Sequence, residues 1–336
     1  MLILRSSDVA DALAGRELEI IDVVEKTYRV HALGATAVPR SVFLRFPDRP
    51  RDRIIALPAF VGGPHPGAGI KWISSFPDNL AADLPRASAV VVLNSLVDGR
   101  PHAMLEASQL SATRTAASAA LAARTLTAGR PIDGVTLIGA GVINFEILRY
   151  LVAVEPGLPA VTIFDADPQR AADFAARAEH LVPVVDQTGR IEDALARHRL
   201  ISIATTAAEP HVDLATCRKG AVVLHISLRD IVPATILAAH NVVDDADHVC
   251  RERTSLHLAE IETGDRSFID ATIGDLLNGT IETPPVDDRL VIFSPFGLGA
   301  LDIALAEFVR AQAQCLGIGV EITDFLPSQP VSVVTH

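Results

Sequence analysis

Residues 135–144 read Val-Thr-Leu-Ile-Gly-Ala-Gly-Val-Ile-Asn, and this stretch decides the fold. The short apolar run 135–138 predicts a buried strand, and residues 143–154 have the apolar spacing of a helix. Gly139 and Gly141 stand at the junction, where the first permits a tight turn and the second lets backbone N–H groups approach a pyrophosphate at the helix N-terminus. The turn therefore predicts a dinucleotide site.

A carboxylate, Asp165, follows the next predicted strand. In this position a carboxylate can accept hydrogen bonds from both ribose hydroxyls and would repel a 2′-phosphate, so we expect NAD rather than NADP. Asn144 stands where the motif usually has its third glycine, and because that position governs how the helix packs on the strand, we expect a slightly displaced helix. The alternative is a glycine-rich turn without a ligand, followed by a solvated aspartate.

The middle third of the chain alternates short apolar runs with Ala-rich amphipathic segments. This pattern is typical of βαβ units, whose strands are covered on both faces. It predicts an α/β protein with a Rossmann-type, doubly wound parallel sheet. The predicted strands are 135–138, 161–164, 182–185, 200–204, 221–226 and 242–243, and the predicted helices between them are 143–154, 168–178 and 191–197.

The first third reads differently, because Pro and Gly break its apolar runs in the manner of antiparallel hairpins. We expect a second, α+β domain for substrate binding and dimerisation, formed by residues 1–118 and completed by 298–336, beside an NAD-binding domain at 119–297. The predicted C-terminal helix, 300–317, is too hydrophobic to stand alone, so it should return to pack on the first third or on a second subunit. The other predicted elements are helices at 17–33 and 107–128 and strands at 41–46, 53–58, 69–75 and 88–93.

The composition limits the classes of partner. The 336 residues carry a formal net charge of −12 and show no basic patch, so we expect neither nucleic acid nor an anionic membrane surface as a partner. The three cysteines lie far apart and the histidines form no HExxH motif, so we expect no metal. The N-terminus becomes charged at Arg5, and no apolar window approaches the length of a membrane span. We therefore expect a cytoplasmic protein.

Three cations stand in apolar or small-residue surroundings: Arg40 in Ala-Val-Pro-Arg-Ser, Lys71 in Gly-Ile-Lys-Trp-Ile and Arg114 in Ala-Thr-Arg-Thr-Ala. Buried or half-buried cations need anions, which makes these residues candidates for binding an acidic substrate. Burial would also lower the pKa of Lys71, as a proton-transferring amine requires. The alternative for each is a structural carboxylate partner, or a side chain that extends to water.

Asp230, at the end of Ser-Leu-Arg-Asp, follows the fifth predicted strand. Ligands of open α/β sheets bind beyond the carboxyl ends of the strands, so Asp230 is well placed for a site. The alternative is a helix N-cap, because Ile-Val-Pro follows and proline often occupies the first turn of a helix.

Six stretches resemble, in order and spacing, the ornithine cyclodeaminase/mu-crystallin family over nearly the whole chain. They are Asp-Arg-Ile-Ile-Ala-Leu-Pro at 52–58, Gly-Ile-Lys-Trp-Ile at 69–73, Arg-Ala-Ser at 86–88, Thr-Arg-Thr-Ala-Ala at 113–117, Leu-Ile-Gly-Ala-Gly at 137–141 and Ser-Pro-Phe-Gly-Leu-Gly at 294–299. The first three look most like the branch that serves 2,3-diaminopropionate biosynthesis. That branch cleaves N-(2-amino-2-carboxyethyl)-L-glutamate oxidatively with NAD, and gives L-2,3-diaminopropionate and 2-oxoglutarate for siderophores or peptide antibiotics.

The resemblance implies roles for residues of this chain. Lys71 and Asp230 match the catalytic lysine and aspartate, and Arg40 and Arg114 match the arginines that bind the substrate carboxylate. Arg45 is a second candidate in the first motif. The resemblance also implies a small amino acid substrate, a homodimer, and a pyridoxal-phosphate-dependent synthase as pathway partner. The expected cofactor-binding residues are Gly139, Ala140, Gly141, Val142, Ile143, Asp165, Thr115, Thr205 and Ser227.

Three residues depart from the family pattern: Asn144, His225 in place of the branch's usual Asn, and Thr272 in place of a usual Glu. We interpret His225 as a neutral hydrogen-bonding replacement near the cofactor or, alternatively, as a satisfied core histidine. Other reactions on the same scaffold stay open, namely those of an ornithine or lysine cyclodeaminase and of a ketimine reductase. A ligand-binding protein without activity, as in the crystallin branch, is the alternative from a different class.

Overall fold

The computed structural model describes residues 1–127 and 129–327. Its strands form two eight-stranded sheets, the first mostly antiparallel and the second parallel throughout. The predicted α/β class, with a parallel sheet beside a second α+β unit, is confirmed.

The first sheet contains the strands of the N-terminal third and one strand from near the C-terminus. They are β1 (Leu2–Leu4), β2 (Thr36–Ala37), β3 (Val42–Phe46), β4 (Arg49–Val61), β5 (Gly67–Ser75), β6 (Ala87–Asn94), β7 (Pro101–Glu106) and β16 (Val320–Glu321). Their order is β16-β1-β7-β6-β5-β4-β2, and β3 also pairs with β4. Among the described residues, β1 and β7 are the one parallel pair of this sheet, so it is built mainly from hairpins, as the Pro and Gly breaks predict.

One face of the first sheet is buried. Side chains alternate along a strand, so residues that stand opposite each other on neighbouring strands share a face. Lys71 on β5 stands opposite Leu57 on β4 and Val91 on β6, and Val91 in turn stands opposite Leu105. Lys71, Val91 and Leu105 are all buried, so the one cation in this row has apolar neighbours.

Long helices pack against that sheet. They are α1 (Ser6–Leu13), α2 (Glu17–Ala32), α3 (Ser108–Leu126) and α11 (Gly299–Leu316). The C-terminal helix α11 packs on β4 and β5 and against α1 and α2, which confirms that it returns to the first third of the chain. The last residue of the helix predicted at 107–128 lies outside the described residues.

The parallel sheet has the order β10-β9-β8-β11-β12-β15-β13-β14. Its strands are β8 (Val135–Ile138), β9 (Ala160–Phe164), β10 (Val184–Gln187), β11 (Leu200–Ile203), β12 (Val222–His225), β13 (His240–Val243), β14 (Ile269–Thr272) and β15 (Val291–Ser294). The helices that connect them are α4 (Val142–Val154), α5 (Pro168–Ala178), α6 (Ile191–Leu195), α7 (Pro233–Ala238), α8 (Ala246–Val249), α9 (Ser255–Thr263) and α10 (Ile273–Asn278), and a short 3₁₀ helix at Pro77–Ala82 precedes β6.

The sequence located six of these parallel strands but missed β14 and β15. It also placed the third strand two residues early, at 182–185, whereas β10 begins at Val184. Pro183 has no backbone N–H to donate to a neighbouring strand, so the hydrogen-bonded ladder begins after it.

The boundary expected between residues 118 and 119 falls inside α3. This helix packs against α2 on one side and against α4 on the other, so it contributes to the packing of both sheets. The domain limits therefore stay a prediction, and the part at 328–336 lies outside the described residues. Within the described ranges, none of the helices is both long and apolar enough to cross a membrane.

Candidate active site

The glycine turn has the geometry of a nucleotide cradle. It joins β8 to α4, and Gly139 has a φ of +96°. A Cβ at Gly139 would lie 2.4 Å from the backbone oxygen of Ala204, so only glycine fits there. Gly141 differs, because the nearest atom to its Cβ position is Nη2 of Arg170, at 4.0 Å. The open space in front of the first N–H groups of α4 suits a pyrophosphate, so these residues fit a dinucleotide.

The side chain of Asn144 stabilises this turn through hydrogen bonds. Its buried side-chain amide donates to the backbone oxygens of Ile138 (2.9 Å) and Gly139 (2.7 Å), and its carbonyl accepts from the Ser202 hydroxyl at 2.8 Å. A third glycine could make none of these bonds. The asparagine therefore replaces close helix packing with direct hydrogen bonds to the turn.

Asp165 supports the same turn from the end of β9. One carboxylate oxygen accepts the backbone N–H of Ala140 at 2.7 Å, and the other accepts that of Asp167 at 2.9 Å. The guanidinium of Arg170 lies 3.9 Å away. The alternative of a solvated aspartate is therefore wrong, because the Asp165 carboxylate accepts hydrogen bonds from the turn. It also lies at the position where the ribose is expected.

Asp230 lies buried beyond the end of β12. The hydroxyls of Thr205 and Ser227 each donate to one of its carboxylate oxygens. Burial opposes its ionisation, but hydrogen bonds from His225, Ser227 and Thr205 outweigh burial, so the pKa of Asp230 lies below its usual value. The N-cap alternative is wrong, because α7 begins after Val232 and Asp230 does not cap it.

His225 holds the backbone of Asp230. Its Nε2 lies 3.4 Å from the backbone nitrogen of Asp230 and 3.6 Å from the carboxylate of the same residue, and its Nδ1 lies 3.2 Å from the Ser294 hydroxyl. Burial lowers the pKa of His225. The residue is therefore neutral, buried and hydrogen-bonded. This agrees in part with each interpretation of the sequence, a neutral hydrogen-bonding replacement and a satisfied core histidine.

Thr115, a candidate for cofactor binding, and Thr272, a departure from the family pattern, both make hydrogen bonds within helices. The hydroxyl of Thr115 donates to the backbone oxygen of Ser111 within α3, at 2.8 Å. Thr272 caps α10, because its hydroxyl accepts the N–H of Asp275 at 3.1 Å. The usual glutamate at this position is thus replaced by a good N-cap residue.

Lys71 and Arg114 both pair with Asp302, and the three side chains form a buried ion triad. The Nζ of Lys71 is 2.6 Å from one carboxylate oxygen of Asp302 and 3.3 Å from the hydroxyl of Ser111. The Nε of Arg114 donates to the other oxygen of Asp302 at 3.0 Å. Burial lowers the pKa of Lys71 to about 8. Burial opposes the ionisation of Asp302, but Arg114 and Lys71 outweigh it and lower the pKa of that carboxyl.

The sequence analysis missed Asp302. The signal was present, because Leu301-Asp302-Ile303 places one acid on an apolar stretch of α11, and an isolated acid in such a position needs a buried cation. Its partners, however, come from β5 and α3, which only the folded chain brings to α11.

The Ser-Pro-Phe-Gly motif, residues 294–297, packs against the guanidinium of Arg114. Gly297 has a φ of +93°, and a Cβ there would lie 2.7 Å from Nη1 of Arg114. The N–H groups of Phe296 and Gly297 donate to the carboxylate of Asp244, at 2.9 and 2.7 Å. Asp244 is buried and was also missed. It fixes the loop against which the guanidinium lies.

The first-motif arginines lie farther out. Arg40 is exposed, so the expectation that it stands in buried surroundings is wrong. It precedes β3, which pairs only with β4 and therefore leaves this segment at the margin of the sheet. Arg45 on β3 is half exposed and pairs with Glu252 at 2.6 Å.

Comparison with known proteins gives a consistent picture. A sequence model of the ornithine cyclodeaminase/mu-crystallin family matches residues 2–315. The chain is 30% identical to the N-((2S)-2-amino-2-carboxyethyl)-L-glutamate dehydrogenase of Staphylococcus aureus over 96% of this chain and 98% of that protein. The crystal structure of CmnK superposes with a TM-score of 0.89 at 28% identity, covering 97% of this chain and 99% of that one. An archaeal alanine dehydrogenase dimer with bound NAD superposes with a TM-score of 0.86 at 26% identity, over 97% and 99%.

Replacing Gly139 by alanine tests the nucleotide cradle. Because the new Cβ would meet the Ala204 oxygen, the turn must shift, and we expect the Kd for NAD to rise by about tenfold or more, at a cost of over 1 kcal/mol. Calorimetric titration with NAD measures this. Gly15→Ala is the matched control, because Gly15 also has a positive φ (+69°) but open space around it. An unchanged NAD affinity in Gly139→Ala would show that the turn does not bind the dinucleotide.

Proposed function

The chain belongs to the ornithine cyclodeaminase/mu-crystallin family, and from this premise we propose that it is an NAD-dependent oxidoreductase acting on a carbon–nitrogen bond. Its proposed reaction is the oxidative cleavage of N-(2-amino-2-carboxyethyl)-L-glutamate to L-2,3-diaminopropionate and 2-oxoglutarate, in the supply of precursors for siderophores or peptide antibiotics. The supporting relative is the dehydrogenase of that substrate, at 30% identity. The observation that carries the proposal is the buried triad of Lys71, Asp302 and Arg114.

The secondary amine of the substrate must lose a proton before its carbon can lose hydride, because the nitrogen lone pair has to assist as the C–H bond breaks. When bound, the nicotinamide supplies the hydride acceptor. Lys71, with a pKa of about 8, is matched to removing a proton from a substrate ammonium near neutral pH. The product of hydride loss is a substrate iminium.

Water then adds to the iminium carbon, and Asp230 can take the proton that this water loses. The carboxylate is ionised and buried, so it also stabilises the cationic iminium. Lys71 returns its proton to the nitrogen, the C–N bond breaks, and the ketone and the amine separate. The proton on the carbinol oxygen goes to solvent, and Asp230 passes the proton that it took from water to the departing amine, which leaves as an ammonium, so one proton in total is released.

Arg114 is placed to bind the carboxylate next to the reacting carbon. One side of its guanidinium is occupied by Asp302 and one face of it packs against Gly297, so the N–H groups that neither of them takes are the ones that would hold a substrate carboxylate. We assign Arg40 a supporting part in the same role, with its exposed side chain closing over the bound substrate.

The assay is the formation of reduced nicotinamide with N-(2-amino-2-carboxyethyl)-L-glutamate, with 2-oxoglutarate and diaminopropionate identified as products. We expect net NADH formation in the wild type. We expect a loss of at least about 10³-fold in kcat for Lys71→Ala, with NAD affinity retained. A cyclodeaminase would cyclise ornithine or lysine without net consumption of NAD, and a reductase would oxidise NADH while it reduces an imine. Either activity, together with no net oxidation of the proposed substrate, overturns the proposal.

Asp302→Asn tests the coupling within the triad. The carboxylate raises the pKa of Lys71 and Arg114 lowers it, so removing the carboxylate moves that pKa below about 8. We expect kcat/KM to fall about 10²-fold and its rising limb to move to lower pH, because the neutral amine then forms earlier. The measurement is kcat/KM against pH. Asp8→Asn, which breaks the ion pair of another buried aspartate with Arg5, should leave the limb in place. An unshifted limb in Asp302→Asn would remove Lys71 as the titrating group.

We also propose a homodimer in the cytoplasm, supplied with substrate by a pyridoxal-phosphate-dependent synthase. The support for the dimer is the second face of the first sheet, defined by the row Val42, Ala56, Trp72 and Val90 on neighbouring strands. Trp72 is 43% exposed and Val42 is 65% exposed. Large apolar side chains in one exposed row are typical of a face that another copy covers.

Trp72→Glu places a charge in the middle of this face. We expect it to convert a dimer into a monomer, because a carboxylate buried at an apolar interface would have no partner. Light scattering after size-exclusion chromatography measures the mass. Leu84→Glu is the control, since Leu84 is 55% exposed and lies outside the four strands that carry this row. A Trp72→Glu protein that stays dimeric would place the interface elsewhere.

A further inference from the structure

A group of basic side chains, here named the arginine cluster, lies where the first sheet meets the loop after β12. Arg53 on β4 stands opposite Ser75 on β5, and Ser75 stands opposite Ala87, the residue next to Arg86. Burial lowers the pKa of Arg53, and so does the proximity of Arg229, Arg86 and Arg45. The members of the cluster are Arg45, Arg53, Arg86 and Arg229.

The cluster has too few acids. Among the ion pairs of the described residues, Glu252 is the one carboxylate that pairs with it, and that carboxylate is taken by Arg45. Arg229 reaches only the backbone oxygen of Glu252, with Nε at 3.2 Å and Nη2 at 2.9 Å. The Nε of Arg53 is buried and has no hydrogen-bond partner in residues 1–127 and 129–327. A buried cationic donor without an acceptor is costly, so the cluster is prepared for an anion from outside the chain.

The strand register connects this cluster to the triad. Arg53 and Leu57 are four residues apart on β4 and share a face, and Leu57 stands opposite Lys71. Arg53 therefore points from the same face of the sheet as Lys71, with its Cα about 13 Å along the strand. The side chain of an arginine spans part of that distance, and an extended ligand spans the rest. Arg229, another member of the cluster, is the residue next to Asp230 in the sequence.

We propose that Arg53, together with Arg86 and Arg229, binds the carboxylates of the substrate that are remote from the reacting carbon, and so selects a polycarboxylate. This rests on the proposed function. N-(2-amino-2-carboxyethyl)-L-glutamate has three carboxylates, of which Arg114 takes the one beside the reacting carbon. The other two lie at the ends of flexible chains and need further cations. An amino acid with one carboxylate, such as alanine, would leave the cluster unsatisfied, which disfavours its binding.

The test is Arg53→Met, which keeps the apolar stem and removes the charge. A hydrogen bond to a charged group is lost, so we expect the KM for N-(2-amino-2-carboxyethyl)-L-glutamate to rise about 10- to 100-fold, with kcat changed by less than about threefold. Arg53→Lys keeps the charge but not the planar fork, so its KM should lie in between. Arg51→Met is the matched control, because Arg51 is on the same strand but is exposed and pairs with the exposed Asp78. Its KM should stay within about twofold of the wild type.

A second readout separates this proposal from the proposed function. Calorimetric titration of the nucleotide-free protein with the same substrate, and with glutarate as a simple dicarboxylate, measures binding without turnover. If the wild type binds them and Arg53→Met binds at least about tenfold more weakly, the site is supported, even if no NADH forms and the proposed reaction fails. Turnover with an unchanged KM in Arg53→Met overturns the site and leaves the reaction standing. Absence of binding of both compounds to the wild type also overturns it, as does a variant whose only change is dissociation of the dimer.

Removing a charge from the cluster should not unfold the protein. The arginines repel one another, so we expect the melting temperature of Arg53→Met to equal or exceed that of the wild type, and glutarate to raise only that of the wild type. Should Arg53→Met fail to fold, Arg53→Lys carries the comparison of KM with Arg51→Met.

Discussion

The buried triad of Lys71, Asp302 and Arg114 is the constraint on which the site depends. It contains two cations and one anion, so it has a net positive charge in a place that water does not solvate well. Such a group is costly unless its geometry is good and a further anion completes it. In the proposed function, the carboxylate of a substrate supplies that anion, and Asp302 holds the two cations in place before the substrate arrives. The triad also joins β5, α3 and α11, which belong to distant parts of the sequence.

The triad is connected to the parallel sheet through the loop that contains Gly297. Arg114 lies against Gly297, and the N–H of Gly297 is held by Asp244 at the end of β13. Asp230, at the end of β12, belongs to the same edge, because parallel strands all end on one side of their sheet. The first sheet therefore supplies the cations and the second supplies the nucleotide turn and Asp230. The proposed reaction uses both, and α11 contributes by placing Asp302 between Lys71 and Arg114.

The sequence predicted the parallel sheet well where strands are uniformly apolar, as in β8 and β11. It missed β14, whose Ile-Asp-Ala-Thr is polar at a sheet edge, and β15, which follows a long irregular stretch. Lys71 and Arg114 became candidates because each is a cation among apolar or small residues, and Asp230 became one because it follows a predicted strand and matches the aspartate of the family. Asp302, Asp244 and Arg53 did not, because their significance depends on strand register and on partners far along the chain. Local contrast is visible in a sequence, but complementarity between distant residues is not.

The two titratable groups of the site differ in a way that divides the work between them. Lys71 has a pKa of about 8, so it can both take and return a proton near neutral pH. Asp230 has a pKa below its usual value and stays ionised through that range, so it is a poor base toward an ammonium. A carboxylate that stays ionised stabilises a transient iminium, whereas the leaving amine requires a proton donor that was protonated in an earlier step. In the proposed reaction, Lys71 therefore carries the proton between the first and last steps, and Asp230 stabilises the cation between them. The surroundings of Lys71 and Asp230 thus give the two groups different pKa values, and this difference is enough to assign their acid–base roles.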